Sequence, residues 1–234
     1  MIYILRREFV DSFKSVRSVL IILFLTFIAY FSANFLKDHQ DLINKIVMSG
    51  ESISVDAVYT GAVSAVILVF GYLFVFAISH DIINSEIEMR TIRLLVTKAS
   101  RFQIMLGKLL GTFLFWIATI SVTYGVIFII SGSWSIKDYI QTICLLFYLV
   151  TFVLLISTVI QKTKLSMFLG ILLAIVLPIL NGISLLVDRW YFIPFKFTLP
   201  FYYLSHSIMF MIFPIIIGVS FFVISILIMK RRDL

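Results

Sequence analysis

His80 and Asp81 are neighbours in the chain, and an imidazole beside a carboxylate has the make-up of a proton relay. The pair stands at the boundary of a long apolar run, where a solvated or capped pair is the simpler reading. The other histidines, His39 and His206, are remote in sequence, and no Ser/His/Asp or metal-ligand constellation accompanies any of the three. Cys144 is the only cysteine and sits in the apolar run ICLLFYLV, which excludes an intramolecular disulfide and a cysteine-based zinc site. No G-x-x-x-x-G-K-[ST] motif occurs, so the chain has no P-loop with which to bind a nucleoside triphosphate. The remaining polar groups in apolar surroundings are Tyr30 and Asn34, four apart on one helical face, and Asn181, beside Pro178 and Gly182. Their types suit interhelical hydrogen bonding or the lining of a route. The chain is therefore expected not to be an enzyme.

The elements that hold these residues follow from composition. Of 234 residues, 62% are hydrophobic and only 13% charged, with a mean hydropathy of +1.12. There is too little polar surface to cover a soluble domain of this size. Six runs without charge, 19–36, 57–79, 109–131, 139–160, 165–187 and 208–229, are each long enough to cross a bilayer. They lack the alternation of a membrane strand, and unpaired backbone groups are not tolerated in hydrocarbon, so all six are expected to be helices. The expectation is an all-α integral membrane protein with one transmembrane domain spanning 1–234.

Lysine and arginine set its orientation, because they accumulate in cytoplasmic loops. Fourteen of the 19 basic residues fall on the side that holds both termini and the loops around Arg93 and Lys162. Only Lys37, Lys45, Lys137, Arg189 and Lys196 fall on the other. Both termini are thus expected in the cytoplasm. The basic residues flank helix ends, a distribution that suits lipid headgroups and not nucleic acid. The first run is too long for a secretory signal and is expected to stay in the mature protein. Phenylalanine- and isoleucine-rich usage suggests a bacterial plasma membrane.

Three segments lie outside the runs. In residues 1–18, Ile2, Leu5, Phe9, Phe13 and Val16 recur at steps of three and four, the pattern of an amphipathic interfacial helix. Segment 81–101 carries Glu86, Glu88, Arg90 and Arg93 on a charged face, a turn at Lys98 to Ser100, and Ser100 as a cap for the third span. This is longer than a plain connection needs, which suggests a docking surface. Gly107 and Gly111, at the start of the third span, are expected to allow close packing. Segment 188–207 is aromatic, with Lys196 the one charge between Trp190 and Leu204 and with Pro194 and Pro200 dividing it. It suits either an aromatic belt at the headgroups or a lid dipping into the bundle.

The stretch E-I-E-M-R-T-I-R-L-L-V-T-K-A-S-R-F-Q-I-M-L-G-K, Glu86 to Lys108, resembles the region after the second span of ABC-2 type transporter permeases. Those show two acidic residues, a Gly-Thr pair, a leucine pair, a Ser/Thr-Pro-x-Ser-Arg turn and a lysine entering the third span. Glu86 and Glu88 match the acidic positions, Thr91 the threonine, Leu94 and Leu95 the leucines, Ser100 and Arg101 the Ser-Arg, and Lys108 the lysine. Arg90 replaces the usual glycine and Lys98 the usual proline.

The resemblance implies that 81–101 is a coupling helix touching a separate ATPase, with Asp81, Glu86, Glu88, Arg90, Thr91, Arg93, Arg101 and Lys108 as its coupling residues. It implies two ATPase subunits that hold the ATP and magnesium, no cofactor in this chain, and a second permease copy or a sister permease completing the route. Tyr30, Asn34 and Asn181 are candidates for the pathway, and Phe195, Phe197 and Phe201 for an outer gate. Membrane lipids are the remaining expected partner, and an amphipathic peptide or lipophilic toxin the expected substrate. The alternatives are an ion-gradient-driven carrier or a non-transporting membrane scaffold or sensor. A carrier needs ionisable groups near the midplane, and none of the six runs contains one.

Overall fold

A computed structural model describes residues 1–49, 54–97, 99–132, 134–187, 189–204 and 208–231. Among them lie six helices long and apolar enough to cross a membrane. They are α2 (Val16–Asp38), α4 (Val55–Ser79), α7 (Arg101–Ser131), α8 (Ile136–Val159), α9 (Thr163–Leu186) and α12 (Ile212–Arg231), the last entered through a 3-10 turn at Ile208–Met211. The described residues contain no strand. The short helices are α1 (Ile2–Lys14), α3 (Gln40–Ser49), α5 (Asn84–Glu88), α6 (Ile92–Val96), α10 (Ile193–Thr198) and α11 (Phe201–Leu204).

The most enclosed span is α8, which packs on α4, α7, α9 and α12 and buries Tyr148, Leu149, Val153 and Leu154. Trp116, Tyr72 and Tyr124 fill the space around it. By contrast α2, α9 and α12 bury little, and residues such as Phe27, Phe31, Ile175, Ile179 and Ile216 point outward. In lipid an outward apolar face carries no hydrophobic penalty, so close packing decides which helices are central.

The amphipathic N-terminal segment ends sooner than its periodicity suggests. Ser15 is extended (φ −70°, ψ 129°) and separates α1 from α2. The polypeptide then folds so that α1 lies against the start of α7. Gly107 and Gly111 are its seat. A Cβ at Gly107 would stand 3.0 Å from Ile4 Cγ2, and one at Gly111 only 2.7 Å from Glu8 Cβ and 2.8 Å from the Leu5 carbonyl oxygen. The G-x-x-x-G pair thus lets two helix backbones approach, and edge-to-face contacts of Phe13 with Phe9 and Phe115 continue the seam.

At the same end Ser100 caps α7 in a reciprocal arrangement with Gln103, the cap expected from sequence. α7 begins there, well before its apolar run at Leu109, and its first turns, with Ile104 and Met105 buried, seat α1. This end also gathers Arg6, Arg7, Lys14, Arg17, Lys108 and Lys230 and is called the basic end below. Because α1 and the end of α12 both meet the start of α7, both terminal helices reach the basic end.

The opposite end is closed by the aromatic segment. Trp190–Phe192 form a 3-10 turn, Pro194 opens α10, and Pro200 precedes α11. Tyr203 donates a hydrogen bond to the Phe197 carbonyl at 2.7 Å, while Gln141 and Tyr148 of α8 donate to the carbonyls of Leu204 and Thr198 at 3.2 and 3.3 Å. Sequence periodicity missed α3, which continues from α2 and places Ile43 in the core.

Candidate functional site at the basic end

After α4 ends at Ser79, the chain makes a turn, the two short helices α5 and α6, and then enters α7. Neighbouring spans fix this excursion through backbone groups. Ser157 Oγ of α8 accepts the N–H groups of Ile83 and Asn84 at 3.0 and 3.3 Å. Ser166 Oγ of α9 donates to the His80 carbonyl at 2.9 Å. Glu88 accepts both the N–H (3.0 Å) and the hydroxyl (2.6 Å) of Thr163, the first residue of α9. A carboxylate at the positive end of a helix is well placed electrostatically, and this one joins α5 to α9.

The ion cluster lies on the other side of α5. Lys108 of α7, with 3% of its side chain exposed, places Nζ 2.6 Å from Glu8 Oε1 and 3.0 Å from Glu86 Oε1. One buried ammonium thus joins α1, α5 and α7, and two carboxylates compensate it as a buried charge requires. The second oxygen of Glu86 is buried without a hydrogen-bond partner.

Above this cluster lies an open groove of about 650 Å³, lined by Arg7, Glu8, Asp11, Asp81, Glu86, Lys108 and uncharged residues including Met89, Thr91 and Leu95. Its lining holds four carboxylates and two cations, an acidic patch on the most basic part of the molecule. Arg7 lies 3.5 Å from Asp11, which leaves Glu86 and Asp81 at the centre of the negative surplus.

The eight coupling residues therefore divide. Asp81, Glu86, Thr91 and Lys108 border the groove. Glu88 holds the start of α9, and Arg101 donates to the carbonyls of Met229 (2.6 Å) and Lys230 (2.8 Å), where a cation meets the negative end of α12. Arg90 is exposed, with φ +58° at the end of α5. That left-handed conformation is the reason glycine suits this position. Arg93 belongs to α6, but its side chain and that of Leu94, like residue Lys98, lie outside the described residues. His80 is buried with Nδ1 3.1 Å from the Phe76 carbonyl, while Asp81 turns to the groove; the two do not form a relay.

The other sequence candidates are scattered. Tyr30 is 58% exposed on α2, and Asn34 donates back to its carbonyl at 3.0 Å. Asn181 is fully buried on the α9 stripe that includes Gly170 and Ala174, and neither amide atom is hydrogen bonded. Phe201 is buried, whereas Phe195 and Phe197 are 40% and 49% exposed. Of the three gate candidates only Phe201 is packed inside, because α10 turns its phenylalanines outward and α11 turns Phe201 inward.

Sequence reasoning missed Glu8, whose signal is an acid on the polar face of α1 opposite a lysine set between two glycines. It also missed a polar seam between α4, α7 and α8. Thr60 donates to Asp138, Tyr124 bonds Ser64 (3.0 Å) and Thr142 (3.1 Å), and Tyr139 bonds Ser121 (2.8 Å). Asp138 falls just before its apolar run, but α8 starts at Ile136 and so includes it.

Six spanning helices, of which α8 is the most enclosed, with a helical excursion clamped at one end, define a multi-pass membrane protein. Residues 2–189 match the family model described as ABC-2 family transporter protein, so the chain belongs to the ABC-2 transporter family and is a transmembrane permease. Among curated proteins none is a match to it.

Proposed function

We propose that this permease is the membrane half of an ATP-driven exporter, with its basic end in the cytoplasm of a bacterial plasma membrane and its groove docking a separate ATPase. The observation that carries the reading is the Glu8–Lys108–Glu86 cluster beneath that groove. A force applied to α5 reaches α1 and α7 through one buried ammonium, and α9 through Glu88. Movement of the docked ATPase would therefore tilt three elements together, which is what coupling by rigid spans demands. Asp81 and Asp11, which border the open groove, offer the ATPase carboxylates for cationic side chains.

Two permease copies, or this chain and a sister, would enclose the route. The centre of one protomer is filled by Trp116, Tyr72, Tyr124 and Tyr148, so the route is assigned to the outward face where α2 presents Tyr30. An apolar face of that kind suits an amphipathic peptide or lipophilic toxin. ATP and magnesium belong to the ATPase in this scheme, and the chain itself catalyses nothing. Asp138 within its polar seam favours one competing reading, an ion-driven carrier, although it stands near the end of a span and not at midplane.

Reconstitution decides between them. The permease purified with its natural partners should transport in vesicles only when ATP is supplied on the side of the basic end. Transport by this chain alone, driven by an ion gradient and abolished by Asp138→Asn, would overturn the exporter reading.

A further inference from the structure

A second groove, of about 260 Å³, lies within the membrane-spanning part of the basic end. Its floor is a stripe of α4, Leu73, Phe76 and Ala77, continued by His80 just past the end of that helix. Arg17 forms one wall from α2, and Met167 and Ile171 form the other from α9. The interior is apolar, and the flanking surfaces, Leu20, Leu23 and Phe24 of α2 and Leu172 and Ile175 of α9, face outward. The groove therefore opens on hydrocarbon.

Its mouth is cationic. Arg17 is exposed, and Nη1 donates to the Ala77 carbonyl at 3.1 Å, which holds the guanidinium across the groove with one of its five N–H donors. On the other wall Lys164, which is exposed, precedes Met167 and Ile171 at helical spacing and so continues their stripe toward the basic end. Lys14 ends α1, across the extended Ser15 from the start of α2. The carboxylate nearest in sequence, Asp11, is engaged by Arg7 (3.5 Å) and Lys14 (3.9 Å). His80 faces the Phe76 carbonyl and brings no negative charge.

We propose that this groove binds an anionic phospholipid of the leaflet at the basic end. One acyl chain lies on the α4 stripe, and the phosphate sits between Arg17 and Lys164. Apolar walls beneath a pair of cations fit a lipid, whereas a soluble anion has nothing to occupy the groove itself. Basic pockets between spans near a headgroup layer select lipids of this charge. The lining comes from α2, α4 and α9 with His80 at the end of α4, and the neighbouring Lys164 also stands in the field of the Glu88 carboxylate of α5.

The test uses the full chain, purified in mild detergent and equilibrated with phosphatidylglycerol or with phosphatidylcholine of identical acyl chains, with retained lipid counted by native mass spectrometry. Wild type should retain phosphatidylglycerol at least about fivefold better, the factor that about 1 kcal/mol from a single basic residue gives toward a lipid of net negative charge. Arg17→Gln with Lys164→Gln should remove the preference, Arg17→Lys should keep it, and Ala77→Phe, which fills the groove, should lower retention of both lipids. Equal retention by wild type would overturn the proposal, whatever the variants do. So would a second copy in the groove, seen as efficient disulfide dimerisation of Ala77→Cys in a Cys144→Ser background with lipid retention unchanged.

Discussion

Lys108 and Glu8 are one hundred positions apart in sequence and 2.6 Å apart in space, joined across the Gly107–Gly111 seat of α1 on α7. Removing one partner of a buried pair leaves an uncompensated charge, a loss of about 3–5 kcal/mol by precedent. Lys108→Met should therefore lower the thermal midpoint of the purified permease sharply. Lys108→Met combined with Glu8→Gln and Glu86→Gln should recover most of that loss, since no charge is then stranded. The recovered protein should still fail to couple ATP hydrolysis to transport. A triple variant as unstable as the single one would show that the cluster is not the source of the effect.

The glycine seat gives a graded series. Gly111→Ala places a methyl carbon 2.7 Å from Glu8 Cβ and 2.8 Å from a backbone oxygen, neither of which yields without moving α1. Overpacking of this kind costs about 1–3 kcal/mol. Gly107→Ala meets Ile4 Cγ2 and Cβ at the longer distances of 3.0 and 3.1 Å and should be milder, while Gly125→Ala meets nothing within 4 Å and should be neutral. The order of thermal midpoints for the three variants checks this directly.

Arg90 holds φ +58°, where a side chain is strained and glycine is not. Arg90→Gly should raise stability by about 1 kcal/mol, and Arg90→Val should lower it. Chemical or thermal denaturation in detergent measures both. A glycine variant less stable than wild type would mean that the arginine side chain contributes more than its backbone conformation loses.

Glu86 and Glu88 are two residues apart and do different things. Glu86→Lys should weaken copurification of the ATPase while α9 stays protected from hydrogen exchange. Glu88→Lys should loosen the start of α9, raising exchange at Thr163 to Ser166, because the Thr163 N–H and hydroxyl lose their acceptor. Identical exchange patterns in the two variants would contradict the division.

At the aromatic end Phe201→Ala should destabilise by about 3 kcal/mol, at the lower bound for a core phenylalanine, because its ring is buried. Phe195→Ala and Phe197→Ala should alter stability little. If α10 is nevertheless part of a gate, those two variants should raise basal ATPase activity of the assembled complex without moving its thermal midpoint.

The sequence made the spans legible because each is a continuous apolar run longer than a bilayer core, a signal that packing does not obscure. The cap at Ser100 was equally local, whereas the left-handed backbone at Arg90 was visible only through the glycine usual at that place in the resembling family. Partners separated by long stretches of chain were not legible. Glu8 and Lys108 carry complementary charge, but so do many other pairs, and only the path of α1 over Gly111 selects this one. Glu88 and Arg101 read as surface charges of a docking segment, yet each meets a helix terminus, α9 or α12, whose position depends on the whole bundle. Phe195, Phe197 and Phe201 look alike in sequence, and the turn at Pro200 decides which of them is buried.

Cross-linking from the groove reports directly on where the ATPase docks. Met89 borders the groove and is 66% exposed, so a photoactivatable residue placed there reaches a docked protein without disturbing the ion cluster. Irradiation of whole cells, followed by mass spectrometric identification, should capture an ABC ATPase from position 89 and not from Trp134 at the aromatic end. An ATPase captured equally from both positions, or from neither while the complex copurifies intact, would contradict docking at this groove.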